Sequence, residues 1–169
     1  MKHSLLTLIV SDFKANLRNP KGLIICLMFR LAHQIRGQKS KPNFISLPYL
    51  VFYRILVEWI LGIEIPPKTV IGGGLQIYHG TGIVINGNTI IGSNLTIRNG
   101  VTIGHKQPEG TSPKLGNNIS IGANSVIIGN ITLGDNVVVG ALSLVNKSFN
   151  SNSVIAGNPA KMIRQSNSH

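Results

Sequence analysis

Apolar residues follow two rhythms along this chain, and the change comes near residue 62. Up to there the spacing is helical. Leu5, Leu8, Ile9, Phe13 and Leu17 form one stripe, closed by Asn19-Pro20. Leu23, Leu27, Arg30/Leu31 and Gln34 form a second, closed by Gly37. Pro48 opens a third, which carries Val51, Phe52, Ile55, Leu56 and Trp59 and stops at Gly62. These segments are apolar over much of their surface, which predicts helices packed on each other, on the following domain or on another subunit.

From Ile65 the step is six. Ile65, Ile71, Ile77 and Ile83 are followed, after one step of eight, by Ile91, Ile97 and Ile103. After one step of twelve come Leu115, Ile121, Ile127, Leu133, Val139 and Val145. The residue four places on is small or apolar (Leu75, Leu95, Val101, Ile119, Val137), and glycine often follows the first position, as in Ile71-Gly72 and Ile121-Gly122. Three hexads close one triangular coil of about eighteen residues, and stacked coils give a parallel β-helix. Each apolar residue points inward from a flat face, while glycine or asparagine takes the unusual backbone angles at the corners. A β-sandwich would need period-two alternation and hairpin turns, which are missing.

The predicted class is therefore mainly β, with a helical region (1–62), a β-helix (63–160) and a tail (161–169). Residues 105–114 offer no inward apolar side chain and hold Pro108 and Pro113, so they read as a loop leaving the array. One imidazole also interrupts the repeat: His79, within Tyr78-His79-Gly80-Thr81-Gly82. The step of eight is read as falling after Ile83, and the loop from His105 is expected to fold back over His79. A lone corner histidine also reads as a solvated surface residue. A swollen coil and a loop beside one imidazole read instead as a cleft, because loops on rigid scaffolds commonly carry chemistry.

Composition narrows the picture. The chain has 169 residues, enough to bury a core, and 43% of them are hydrophobic against 12% charged, so it is not a disordered polymer. A single cysteine, Cys26, excludes an intramolecular disulfide and fits a reducing, cytoplasmic setting. The net charge is +11, and residues 1–62 hold nine Lys/Arg against Asp12 and Glu58. No aromatic-interleaved basic patch or helix-turn-helix pattern accompanies it, so nucleic acid is not the expected partner. An anionic cosubstrate or an anionic membrane surface is. Residues 5–10 are followed at once by Asp12 and Lys14 with no cleavage site, and Pro48, Arg54 and Glu58 interrupt the apolar run 44–63. No signal peptide and no membrane span are therefore expected.

Several motifs, in order, carry a resemblance that covers nearly the whole chain. They are FRLAHQI (29–35), GIEIPPKTVIG (62–72), IYHGTGIVIN (77–86), LTIRNGVTIGH (95–105), the array around IGAN and VVVGAL, and AGNPAKMI (156–163). The sequence resembles the bacterial left-handed β-helix acyltransferases of the hexapeptide-repeat family, in the serine O-acetyltransferase branch. Closer still are the O-acetyltransferases of colanic acid and similar capsular polysaccharides. The resemblance implies acetyl-coenzyme A as donor, no metal, and a homotrimer with coenzyme A in a groove between neighbouring β-helices.

Site residues follow from the same resemblance. Acetyl transfer from a thioester to a hydroxyl needs a base that titrates near neutrality, and His79 is the candidate. Glu64 stands where serine acetyltransferases carry the aspartate that orients the histidine; a solvated acid at a domain junction is the plainer reading. A backbone N–H of the Gly104–His105 turn is the implied oxyanion donor. Gly104, Ala123, Ala141 and the tail Asn158-Pro159-Ala160-Lys161 map onto the coenzyme groove, and Lys161 and Arg164 can meet phosphates. Tyr78 and Ser112 are expected on the acceptor side. Serine acetyltransferases carry a histidine where Ser112 stands, and their acid-bearing helical domain is longer. Both departures favour a saccharide acceptor, free or lipid-linked, handled at the inner face of the cytoplasmic membrane. A γ-type carbonic anhydrase would need three histidine ligands, and the array holds only His79 and His105. A non-catalytic β-helix scaffold is the other rival.

Overall fold

The computed structural model describes residues 4–37, 44, 46–107 and 110–165; His3, His169 and the loop positions Pro108 and Glu109 lie outside them. Helices α1 (Leu5–Ala15), α2 (Pro20–Gly37) and α3 (Leu47–Tyr53) come first, and α3 widens into a π-helical segment, Arg54–Ile60. The strands then run β1 (Ile63–Glu64), β2 (Val70–Ile71), β3 (Gln76–Tyr78), β4 (Ile83–Ile85), β5 (Ile90–Ile91), β6 (Thr96–Arg98) and β7 (Thr102–Gly104). After the loop follow β8 (Lys114–Leu115), β9 (Ser120–Ile121), β10 (Val126–Ile128), β11 (Thr132–Leu133), β12 (Val138–Val139), β13 (Leu144–Val145), β14 (Ser153–Ala156) and β15 (Lys161–Gln165).

Every third strand pairs in parallel, giving three faces. Face A is β1-β4-β7-β10-β13, face B is β2-β5-β8-β11, and face C is β3-β6-β9-β12-β14, capped by antiparallel β15. The chain is a left-handed parallel β-helix with a helical N-terminal region. One buried apolar column runs up the inside of each face. Face C, for example, stacks Ile77, Ile97, Ile121, Val139 and Ile155. Asparagines recur at positive φ at the B-to-C corner, and Asn124 takes the same conformation at one C-to-A corner. Asn94, Asn118, Asn136 and Asn152 form one amide ladder, each Nδ2 donating to the next Oδ1 at 2.8–2.9 Å. Asparagine suits the place because it tolerates the left-handed backbone and satisfies its neighbour at once.

Register locates the irregularities. Val84 pairs with Thr102 and Ile127 with Val145, so a regular coil takes eighteen residues. Ile63 pairs with Ile83, a coil of twenty, and Ile85 (not Ile83) continues the inward column through Ile103. The two extra residues therefore lie between Ile77 and Ile83, in the corner that contains His79. This corrects the sequence reading, which put the slip after Ile83. Ile90 pairs with Lys114, and the six surplus residues there belong to the loop that follows β7.

The helices bury a different side from the stripes read in the sequence. Phe13, Leu17, Leu27, Val51, Phe52, Ile55 and Trp59 are exposed in the single chain. The buried side is instead Asp12, Asn16, Ile25, Cys26, Phe29, Arg30, Tyr53 and Val57. Arg30 is wholly buried. Its Nε donates to Asp12 Oδ2 at 2.7 Å, its Nη2 to Oδ1 at 3.2 Å, and its Nη1 to the Ile71 carbonyl at 2.6 Å. Asp12 Oδ1 also accepts from the Gly74 and Leu75 N–H groups at 2.8 and 2.9 Å. The helices are thus fastened to the first coil by a satisfied polar network, which hydrophobic periodicity cannot reveal.

Candidate active site

The C-to-A corner between β3 and β4 holds His79 in an uncommon conformation. Its φ is +64°, and Gly80 N–H donates back to the Tyr78 carbonyl at 2.8 Å, closing a γ-turn of the rare positive-φ kind. Two outside contacts hold this turn. Lys21 Nζ, from the first turn of α2, donates to the His79 carbonyl at 2.7 Å, and Asn19 Nδ2 donates to the Ile77 carbonyl at 2.6 Å. Gly80 faces inward at φ +69°, where an added Cβ would lie 3.0 Å from Ile63 Cδ1 and 3.4 Å from Ile25 Cδ1, so this position favours glycine. The insertion thus presents the imidazole to solvent on a backbone braced from beneath. Strained non-glycine residues of this kind concentrate at functional sites.

Other candidates share that edge. Ala123 follows β9, Ala141 follows β12, and Asn158-Pro159-Ala160 follow β14, so all stand at successive C-to-A corners above His79. The stacking is direct: Gly100 N–H donates to Thr81 O, Asn124 N–H to Asn99 O, and Leu142 N–H to Ala123 O, at 2.9 Å each. Ala160 is buried, while Asn158, Pro159, Lys161 and Arg164 are exposed, the last two on β15. Ala123 and Ala141 put small side chains at this edge, and Lys161 and Arg164 lie exposed on β15 beyond them. Tyr78 faces outward on face C, with the Arg98 guanidinium 5.7 Å from its ring centre.

A second cluster sits on a different edge. Gly104 and His105 end β7, and Asn86 ends β4, so they meet at the A-to-B corner, across the whole width of face A from His79. The described residues of the loop make their contacts at this corner, whereas the sequence expectation was a loop folded back over His79. A loop that leaves the far end of a parallel strand starts from the opposite edge. Asn86 Nδ2 lies 3.0 Å from His105 Nδ1, and Ser112 Oγ donates to Asn86 Oδ1 at 2.9 Å. Ser112 is 9% exposed, its hydroxyl committed to Asn86. Asn86 closes the motif IYHGTGIVIN, where periodicity gives it no role; its signal is an amide directly after Ile83–Ile85, where the chain changes direction.

Glu64 projects outward from face A one coil below the His79 turn. No hydrogen bond or ion pair joins the two, and its carboxylate helps to raise the pKa of Glu58, an effect secondary to burial. Burial likewise pushes the Cys26 thiol far above its ordinary range, so the one cysteine is an inert core group. Among the described residues no cluster of three or more His, Cys, Asp or Glu could hold a metal ion. A groove of about 650 Å³ lies between α2, the α3 segment and Pro66–Lys68, and is lined by none of the candidates above.

Comparison with known proteins agrees with this architecture. The family description "Bacterial transferase hexapeptide (six repeats)" matches residues 112–147. The chain is 38% identical over 157 residues to the Escherichia coli K12 protein named "Putative colanic acid biosynthesis acetyltransferase WcaB", covering 90% of this chain and 97% of that protein. It is 42% identical over 137 residues to the serine acetyltransferase of Staphylococcus aureus N315, covering 80% of this chain and 62% of the relative. A serine acetyltransferase from Brucella abortus S19 solved in complex with coenzyme A superposes with a TM-score of 0.80 at 27% identity, over 95% of this chain and 68% of that one. With its coils, its widened histidine corner and these relatives, the chain belongs to the hexapeptide-repeat acyltransferases, in their serine-acetyltransferase-like branch.

Proposed function

We propose that this acyltransferase moves an acetyl group from acetyl-coenzyme A to a sugar hydroxyl in capsular or exopolysaccharide biosynthesis, with His79 as general base. The imidazole accepts the hydroxyl proton as the sugar oxygen bonds to the thioester carbonyl carbon. The tetrahedral intermediate collapses, the C–S bond breaks, and the imidazolium returns the proton to the departing thiolate. The products are an acetate ester and free coenzyme A. Glu64 would stabilise the imidazolium once substrate has ordered that end of face A, and a backbone N–H of the Gly104–His105 turn would hold the oxyanion. The pantetheine arm would lie along Gly104, Ala123 and Ala141, with Lys161 and Arg164 at the phosphates.

The His79 edge and the Gly104–His105 edge stand on opposite sides of one face. A site that uses both needs a second copy, whose loop faces the first copy's His79. We therefore assign the working form as a homotrimer, each groove walled by two subunits. The exposed apolar side chains of the helices, Trp59 at 73% among them, together with Lys14, Arg18, Lys21, Arg36 and Arg54, suit contact with anionic lipid at the inner membrane face. Among the described residues no helix is long and apolar enough to cross a membrane. Co-sedimentation with anionic but not neutral vesicles tests that contact, and equal sedimentation with neither would remove it.

One observation carries the choice of acceptor: Ser112 stands where a serine-binding histidine is expected and is turned inward onto Asn86. The similarity to serine acetyltransferases makes L-serine the competing acceptor. Specificity constants decide between them. Capsular oligosaccharides or lipid-linked precursors should exceed L-serine; a higher value for L-serine than for every saccharide tried would replace this reading with serine acetyltransferase.

A further inference from the structure

The Asn86 amide fixes more than the place of His105. Its Oδ1 accepts two hydrogen bonds, from the Asn88 backbone N–H at 2.9 Å and from Ser112 Oγ at 2.9 Å. A backbone N–H can only donate, so that atom of the amide is the oxygen and the other is the NH2 group. The NH2 group lies 3.0 Å from His105 Nδ1. It can only donate, so Nδ1 must present its lone pair, and the proton of the neutral ring sits on Nε2. The corner itself is rigid, since Asn86 N–H also donates to the Ile103 carbonyl at 2.7 Å within the coil stack. Gly110 N–H closes a turn onto the Gln107 carbonyl at 2.8 Å, and a Cβ on Gly110 would come within 3.4 Å of His105 Cβ, so the loop backs the ring closely.

We infer that Asn86 and Ser112 lock His105 as a hydrogen-bond donor, with Nε2–H offered to a substrate oxygen that gains negative charge during acetyl transfer. The two histidines of the array then have opposite tasks. Among the described residues nothing hydrogen-bonds the His79 ring, whereas His105 is held with its donor outward and its lone pair occupied. Gly104, the implied neighbour of the thioester carbonyl, precedes it directly, so the oxygen of the acetyl carbonyl is the acceptor within reach of this corner. The functional half of this inference rests on the acetyl-transfer reading above; the tautomer does not.

Two measurements test it. In 15N-histidine-labelled protein without substrate, His105, assigned by its loss in His105→Gln, should show a pyrrole-like Nε2 and a pyridine-like Nδ1. The reverse pattern would overturn the lock. In coenzyme A release assays His105→Leu should lower kcat by about 10²- to 10³-fold, the usual effect of removing one such donor. His105→Gln, whose amide nitrogen reaches the Nε2 position, should stay within about tenfold of wild type. Asn86→Asp keeps an oxygen for Asn88 and Ser112 but presents an acceptor to Nδ1, so the neutral ring carries its proton on Nδ1 as a hydrogen-bond donor to Asp and Nε2 loses it. It should lose as much as His105→Leu, and adding His105→Gln to it should restore activity to the level of His105→Gln alone. Full activity in Asn86→Asp with a switched tautomer would refute the donor role. A wild type that releases no coenzyme A with any acceptor would refute acetyl transfer and the donor role together, while the NMR pattern would still report the tautomer.

Discussion

At the scale of single residues, one corner column holds two left-handed residues of different kinds, His79 and Leu142. His79 sits at φ +64° in a two-residue insertion, and if it is the base proposed above, His79→Ala should lower turnover by about two to four orders of magnitude with coenzyme A affinity nearly unchanged. Wild-type turnover in a folded His79→Ala protein would remove it as the base. Glu64→Gln should cause a smaller loss, and none at all would take Glu64 out of the mechanism. Leu142 shares the left-handed backbone, at φ +58°, without any such role. It is 71% exposed, so little burial compensates, and Asn124 occupies the same place one coil below at φ +56°. Leu142→Asn should therefore raise stability by about 1 kcal/mol, seen as a higher Tm; a lower Tm would show that the leucine side chain is packed in the assembled protein.

At the scale of elements, the helices and the β-helix are joined by polar groups. The Asp12 carboxylate receives the Arg30 guanidinium from α2 and two N–H groups from the Gly74–Leu75 corner, so three segments meet on one buried charge. Removing one partner of such a pair leaves the other charge buried and uncompensated. Arg30→Leu should destabilise by about 3–5 kcal/mol, measured by denaturant unfolding. A loss below about 1 kcal/mol would mean that the two N–H donors alone satisfy Asp12. Because Lys21 and Asn19 brace the His79 turn from the start of α2, the same substitution should also lower turnover before it unfolds the β-helix.

At the scale of the whole molecule, the two candidate clusters occupy two edges of one triangular prism. A monomer would hold a base on one edge and a donor network on another, with face A between them. The expected outcome is a trimer by light scattering at the concentrations at which activity is measured. An active monomer would overturn the shared site. The apolar side chains left outside on α1, α2 and the α3 segment belong to this scale too, since none of the described residues of one chain covers them.

The hexad sequence by itself determined the β-helix, because an isoleucine every six residues can be buried at once only if each coil has three equal sides. It also determined the loop, since residues 105–114 supply no inward side chain, and it marked the imidazole as an exception to the repeat. Tertiary structure decided the rest. Whether the extra pair of residues sits before or after Ile83 depends on which strand pairs with which, and only the Ile85–Ile103 register settles that. The buried side of each helix was decided by Asp12, Asn16 and Arg30, polar groups whose burial depends on partners about sixty residues away for Asp12 and Asn16, a distance that periodicity does not span. The partner of His105 came from Asn86, nineteen residues back, because one turn of the coil brings the ends of β4 and β7 together.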